Sequence, residues 1–470
     1  MRLLIVSPHF PPSNAADMQR VRLLLPYLRE QGIEVLSVEP DQVAAPQDPW
    51  LAAGLPTNVV VHRVKALDLK WGKVPGLGML SFRAIGALRR RGDELLERNV
   101  EGGKRKARFD LVYFSTTQFG LHVLGPRWKR KFGVPFMMDY QDPWVSDYYR
   151  DHPEVTPPGG RLKYGIASWL NRRQEPKVLR ECSGITSVSP AYPQQLAKRY
   201  PWLRVEDCGK VESRRSRVET EKSPQRVAKH AIHRLPSLTI PFPGDERDFD
   251  RVKAENIKQE VFDPSDGLIH WVYVGVCPSS MLFSVRSMFA ALAVRKAESD
   301  RQKLKMEKLR LHFIGTSYAA AGTGVKIVEP LAAEYGLSKW VYESTDRIPY
   351  SETLRCLLDA DALIVPGSDD PGYTASKIYP YLLARKPLLA VFHEQSSVVP
   401  LIRKVAGGSV VTFASGENVE TIAARILQQV EIRDGRLPQI SLNEVAFQPF
   451  TAEAQAKQLA DFWKHCLENR

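Results

Sequence analysis

The chain is 470 residues long, with 66 Lys and Arg against 53 Asp and Glu, a formal net charge of +13. Apolar residues make up 43% and charged residues 25%, which supplies full hydrophobic cores and excludes a wholly disordered chain, a collagen-like fibre and a disulfide-stapled mini-protein. At about 150 residues per domain, the length implies roughly three domains, or two large ones.

The first element is the apolar run Leu3-Leu4-Ile5-Val6. It stops at Pro8, too short for a signal peptide, and reads as a buried strand. A helix follows over 17–31, with Val21, Leu24, Leu25 and Leu28 at helical spacing and Gly32 to stop it. Residues 34–38 form the next strand, and this βαβ opening implies a parallel sheet. Further strands fall at 59–62, 111–114, 136–139 and 184–188, with helices around 82–98, 121–132 and 167–182. From 204 to about 266 the pattern breaks down, and the charge-rich stretch 206–233 reads as a flexible insertion or linker. Alternation then resumes. Strands at 270–274, 309–314, 341–343, 362–365, 387–392 and 409–413 interleave with helices over 280–297, 325–335, 350–359, 376–384 and 416–433. The last helix, 451–468, is amphipathic through Ala452, Ala456, Leu459 and Trp463. Two successive βα series describe an α/β protein of two doubly wound domains. Ligands of such sheets bind beyond the carboxyl ends of the strands, so two facing sheets would place both binding edges in one cleft.

The five cysteines include no Cys-x-x-Cys pair, which fits neither a zinc site nor a disulfide framework and suits a reducing compartment. No stretch approaches the ~20 apolar residues of a membrane span. The expectation is a cytoplasmic protein, soluble or attached to a membrane surface. Basic clusters at 89–91, 104–108, 127–131 and 213–217 match no zinc-finger, ribonucleoprotein or basic-zipper pattern, so nucleic acid is not an expected partner. Plain solvation accounts for them, or the anionic phosphates of a nucleotide or lipid.

The most informative stretch is 360–391, ADALIVPGSDDPGYTASKIYPYLLARKPLLAV. A buried strand ends at Val365, a Gly- and Asp-rich loop follows, and a helix is expected from about Ala375, capped by Thr374 or Ser376. Its first amides, at about 375–378, would face an anion with the helix dipole behind them, and Lys377 adds a full charge. A diphosphate suits such a site; a capped helix with a surface lysine is the alternative.

The run from Ala375 to Ala390 resembles the Ser-Lys-(Leu/Ile)-(Phe/Tyr)-Glu-Tyr-Leu-Ala-x-x-(Lys/Arg)-Pro signature of GT-B glycosyltransferases of the group-1 (family 4) kind. Ser7-Pro8-His9-Phe10-Pro11-Pro12 with downstream Arg20 resembles that family's first strand and loop. The segment 133–144, with Asp139, Gln141, Asp142 and Trp144, resembles its acceptor-side motif. The segment 240–249 resembles its interdomain segment, Val274-Gly275 the opening of its second sheet, and the final helix the one that crosses back to the first domain. The resemblance covers nearly the whole chain except 204–237.

It implies a GT-B fold of two Rossmann-like domains: 1–200 on the acceptor side with 446–470 packing back on it, a basic polar linker over 201–266, and a nucleotide-sugar domain over 267–445. It implies a metal-independent glycosyltransferase with no cofactor beyond its nucleotide-diphosphate sugar. The partners implied are that sugar and a glycan or lipid-linked acceptor, in polysaccharide or cell-surface glycan synthesis. Gly275, Asp370, Gly372, Tyr373, Thr374, Ala375, Ser376 and Lys377 are assigned to the donor diphosphate. Asn14, Arg20 and Trp144 are assigned to the acceptor side. His9, Asp139, Gln141 and Asp142 are the catalytic candidates.

The chain also departs from the family. Its paired glutamates, eight residues apart, are replaced by Gly372 and Pro380, with Asp369 and Asp370 nearby. Asn14-Ala15 stands for Gly-Gly. The Arg and Lys expected after Gly275 are missing, Arg286 being the nearest cation, and Gln141 replaces an Arg or His. A degenerate binder of nucleotide or glycan, or a sugar-nucleotide isomerase or hydrolase, is the rival reading. His9 reads as a cleft histidine or a turn histidine. One of Asp139 and Asp142 reads as a hydroxyl-orienting base, or as a salt bridge or loop cap. Trp144 reads as a sugar platform or as core. Residues 70–91 combine Trp71, Leu77, Met79, Leu80 and Phe82 with Arg83, Arg89, Arg90 and Arg91, a peripheral membrane contact or a segment packed on its own domain.

Overall fold

The computed structural model describes the chain except residues 74–77, 98, 102–103, 152, 154–156, 158–159, 210–231, 303–305, 320, 374, 407–409 and 469–470. The chain divides into two compact units, Met1–Phe242 with Ala452–Arg470, and Pro243–Thr451.

The first unit is built on β1 (Arg2–Val6), β2 (Gly32–Val38), β3 (Val60–Val64), β6 (Leu111–Ser115), β7 (Phe136–Tyr140), β8 (Ile185–Ser187), β9 (Leu203–Asp207) and β10 (His233–Thr239). The intervening β4 (Asn99–Glu101) and β5 (Lys104–Lys106) form a separate hairpin. The large sheet runs β3-β2-β1-β6-β7-β8-β10-β9, parallel at every pairing. The apolar strand runs exist because both faces are covered. Leu4, Val6, Val112 and Phe114 point into one core, under helices Leu80–Leu96 and Leu124–Phe132. Leu3, Ile5, Leu111 and Tyr113 point into the other, closed by helix Met18–Leu24 and by Ala456, Leu459 and Trp463 of the final helix, Ala452–Glu468.

Two segments differ from the sequence reading. Residues 201–266 do not act as one linker: β9 and β10 complete the first sheet, and 243–266 belong to the second unit. These strands bury Leu203 and Leu235 in one core and Leu238 in the other, but Arg204 and Arg234 are exposed between them, so charge masked the strand period. The charge-rich 213–217 cluster lies outside the described residues. In 70–91, Leu80 and Arg83 are buried, with Arg83 bonded to the carbonyls of Gln42 and Leu67, so that part is core; Trp71, Met79 and Phe82 are exposed, and Leu77 lies outside the described residues.

The second unit carries β11 (Ile269–Val274), β12 (Leu309–Ile314), β13 (Val341–Ser344), β14 (Ala362–Pro366), β15 (Leu388–His393) and β16 (Val410–Phe413). They form a parallel sheet ordered β13-β12-β11-β14-β15-β16. Ile269, Trp271, Tyr273, Leu311 and Phe313 fill one core face with Val285, Phe289 and Ile422. Among the described residues no helix is long and apolar enough to cross a membrane.

Candidate functional site

Strand order reverses next to β1 in the first unit and next to β11 in the second, and the carboxyl edge at such a point is where an open parallel sheet offers a ligand free backbone and loops.

In the first unit the chain leaves β1 through Ser7, whose hydroxyl donates to the His9 carbonyl at 2.8 Å and fixes the turn. His9 Nδ1 then lies 2.8 and 2.9 Å from the two oxygens of Asp17, at the start of helix Met18–Leu24. Asp17 also accepts from Thr116 Oγ1 at 3.0 Å, Thr117 N at 3.2 Å and Thr117 Oγ1 at 3.3 Å, all just past β6. A carboxylate can only accept here, so Nδ1 carries the proton and Nε2 the lone pair. Among the described residues Nε2 meets no hydrogen-bond partner. Burial pulls the His9 ring down, but the Asp17 carboxylate outweighs it and the net pKa stands above the usual 6.5. Burial likewise pushes Asp17 up, and the His9 ring with the threonine donors outweighs it, so its carboxyl is held low.

The other candidates of this unit divide. Asp139, fully buried, accepts from Arg20 Nε (3.1 Å), Ser115 Oγ (3.1 Å), Thr186 Oγ1 (2.7 Å) and Gln141 Nε2 (2.9 Å). A carboxylate fully buried among four donors is out of a substrate's reach, so Asp139 is a frame and not the base. Arg20, also fully buried, is no acceptor-side group: it donates to Asp139 and to the carbonyls of Pro241 (2.8 Å) and Ile240 (2.7 Å). Gln141 Nε2 also reaches the Asp17 carbonyl at 3.1 Å, joining the frame to the dyad. Its Oε1 is buried without a partner among the described residues. Trp144 is 2% exposed, stacked on Phe119 and bonded through Nε1 to Asn171, so it is core and not a sugar platform. Asn14 is buried, its backbone N–H donating to the Pro46 carbonyl. Asp142 alone of these acids is open to water, and the crowding protein, then the Asp17 carboxylate, push its carboxyl up.

In the second unit, Gly275 ends β11 at φ 141°, a conformation that favours glycine. A Cβ there would fall 2.6 Å from Lys377 Nζ. The Lys377 ammonium thus occupies the carboxyl edge beside β11, donating to Tyr273 Oη and lying 4.3 Å from that ring's centroid. Tyr381 Oη accepts from the Val274 amide at 2.7 Å and Tyr273 Oη donates to the Val276 carbonyl at 2.7 Å, so two tyrosines pin the turn. Burial lowers the Lys377 pKa to about 8. Among the described residues it meets no carboxylate. Gly275→Ala should therefore displace the ammonium and weaken anion binding several-fold, and it should also lower stability to urea by about 1–3 kcal/mol because alanine is strained at this φ; calorimetry with a nucleoside diphosphate and urea denaturation check this.

The expected helix cradle is corrected. The helix is Ile378–Leu383, six residues, with Lys377 as its N-cap, so it supplies no long dipole, and Ile378 N is bonded to the Ala375 carbonyl. Pro380 falls in its first turn, where the missing N–H costs nothing. Ala375 is buried and Ser376 exposed, and Thr374 lies outside the described residues. Asp370 accepts from the Gly372 amide at 2.8 Å in a tight turn, and the Tyr373 carbonyl accepts from Ser396 Oγ at 3.1 Å. Arg286 pairs with Glu334 at 2.6 Å. Arg347, just past β13, is exposed and meets no carboxylate among the described residues. Asp17, the two threonines, the tyrosines and Arg347 escaped the sequence reading. Asp17 carried the signal, as a helix-starting aspartate eight residues after His9. Among the described residues no group of three or more His, Cys, Asp and Glu is placed to hold a metal ion.

No family model and no curated relative matches the chain. Solved structures do. HepE of Anabaena, in complex with UDP-glucose, is 13% identical at a TM-score of 0.57, over 99% of this chain and 100% of its own. The chain has the GT-B fold. The GT-B likeness extends to an E. coli trehalose-6-phosphate structure bound with UDP-2-fluoro glucose, 11% identical at a TM-score of 0.54 over 100% of this chain and 96% of its own. It extends also to a glycosyltransferase from Rickettsia africae, 11% identical at 0.52 over 100% and 99%. The two parallel sheets of this chain are the two sheets of the GT-B fold.

Proposed function

We propose that the protein is a glycosyltransferase that moves a sugar from a nucleoside diphosphate sugar to a hydroxyl of a glycan or lipid-linked glycan, in cytoplasmic assembly of a polysaccharide or cell-surface glycan, with no metal at the reacting centre. The observation that carries this reading is the Lys377 ammonium held against Gly275 at the carboxyl edge of the second sheet. HepE and the E. coli protein, of the same fold, hold UDP-sugars.

Charge builds on the leaving diphosphate as the sugar becomes oxocarbenium-like, and a preorganised cation stabilises it most where water is excluded. Lys377 supplies that cation, with Arg347, past β13 at the carboxyl edge of the same sheet, as a second one. On the acceptor side His9 Nε2 takes the hydroxyl proton, Asp17 holding the ring and stabilising the imidazolium that forms. Arg20, Asp139 and Gln141 keep that dyad in place. Gly372 and Pro380, where glutamates are usual, favour the rival of a protein that binds without turnover.

Calorimetric titration with uridine, guanosine and thymidine diphosphates should find one that binds; binding of none removes the donor site. Release of diphosphate from the matching sugar nucleotide separates the enzyme from the silent binder, and unchanged release with a chelator supports the metal-free reading. The pH profile adds a sign. His9 must be neutral, so kcat/KM rises through a pKa above 6.5; Lys377 must be charged, so it falls through about 8. Bound diphosphate favours the ammonium, so the alkaline limb of kcat should move to higher pH than that of kcat/KM.

A further inference from the structure

Helix Arg161–Leu179 of the first unit turns large apolar side chains outward along its N-terminal half. Val178 and Leu179 at its C-terminal end are buried in the core; along the rest its inner side is held by polar bonds, Tyr164 Oη donating to the Ser146 carbonyl at 3.1 Å, Asn171 bonding Trp144, and the buried Glu175 meeting Tyr200 at 2.7 Å. Its outer side carries Leu162, 80% exposed, Ile166, 57%, and Trp169, 53%. Spacings of four and three residues put these on one narrow stripe. A surface helix of a soluble unit turns such a stripe inward. Beside it stand Lys163, Arg173 and Lys177, which meet no carboxylate among the described residues; Arg173 lies 4.1 Å over the Trp169 ring.

A second apolar group lies close by. Leu67, Leu69, Trp71, Met79 and Phe82 are all exposed, with Lys65, Lys70, Arg89 and Arg90 exposed among them. Both groups are tied to one segment past β6: the Ser81 amide donates to Gln118 at 3.1 Å, while Phe119 stacks on Trp144, which Asn171 holds. They therefore flank the same edge of the sheet that carries His9 and Asp17.

We propose that these two groups form one docking surface for an anionic lipid bilayer, with Leu162, Ile166, Trp169, Trp71 and Phe82 entering the headgroup boundary and the lysines and arginines holding lipid phosphates. Apolar anchors bounded by cations are what an interfacial helix needs. A second copy of the chain fits badly, because a two-fold contact would press Lys163, Arg173 and Lys177 against their own images. The surface stands whether or not the donor site is as described above.

Flotation of the full chain with phosphatidylcholine vesicles, with and without phosphatidylglycerol, tests it. The chain should rise with the anionic vesicles and far less with the neutral ones. Leu162→Asp with Trp169→Asp should lower partitioning more than about tenfold, and Lys163→Glu or Lys177→Glu about fivefold each. Should the double variant misfold, brominated lipid gives a second readout: it quenches the native fluorescence, and Trp169→Phe, which binds normally, removes much of that quenching. No flotation, equal flotation of a folded double variant, or quenching unchanged in Trp169→Phe overturns the proposal. So does a dimer in sedimentation that the double variant abolishes, since the stripe would then be a self-contact.

Discussion

His9→Ala will lower kcat by about two to four orders of magnitude, the usual worth of a positioned general base. Donor affinity, read by calorimetry, will stay as it is, since His9 lies in the first unit and Lys377 in the second. The fold will hold too: Asp17 keeps its three bonds to Thr116 and Thr117 after the ring is gone, and loss of one such bond costs about 1 kcal/mol. Asp17→Asn sharpens the test. It removes the charge that holds the His9 pKa up, so the acid limb should move to lower pH while the maximum rate falls, because an amide no longer enforces the tautomer with a free Nε2. A kcat unchanged in His9→Ala would take that ring out of the chemistry and leave Asp142 as the acid open to water.

Lys377→Met will weaken nucleoside diphosphate binding by about 10- to 150-fold, the equivalent of one charge-assisted hydrogen bond of about 1.5–3 kcal/mol. The thermal midpoint should not fall with it. The ammonium is crowded by the Tyr273 ring and pays for its burial with a pKa lowered to about 8, so an apolar chain of similar length relieves the unliganded protein. Affinity lost at constant or improved stability marks a binding group; both lost together marks a structural one. The alkaline limb near 8 should vanish in this variant. Lys377→Arg should not restore affinity, since the planar guanidinium has no room beside Gly275, where even a Cβ would come within 2.6 Å of the ammonium.

The strands themselves were legible in the sequence wherever both faces are buried, because Leu3-Leu4-Ile5-Val6 or Ala362-Leu363-Ile364-Val365 then has no polar position. They were out of reach at β9 and β10, where Arg204 and Arg234 reach water and interrupt the apolar run. In the donor loop, Gly275 and Lys377 could be named from their setting, yet the helix start could not: a lysine on a first turn and one just before it look alike, and Pro380 was the one residue that argued for the later start. Asp17 was hidden for a chemical reason. An aspartate before a helix ordinarily caps it, and here its side chain makes no cap bond and turns to His9 instead. Asp139, Arg20 and Trp144 carried the right residue types for a site, but the types do not reveal how many neighbours already claim them.

The first unit is assembled from two stretches of chain, with all of Pro243–Thr451 lying between them in sequence. Trp463 of the closing stretch packs edge-on with Tyr113, ring centroids 5.1 Å apart, over the face that also holds Leu3, Ile5 and Met137. During synthesis, that greasy face must therefore wait, bare, until residues 452–468 have left the ribosome. A premature stop just after residue 451 would leave the second unit whole and ruin the first, at the far end of the message from the damage.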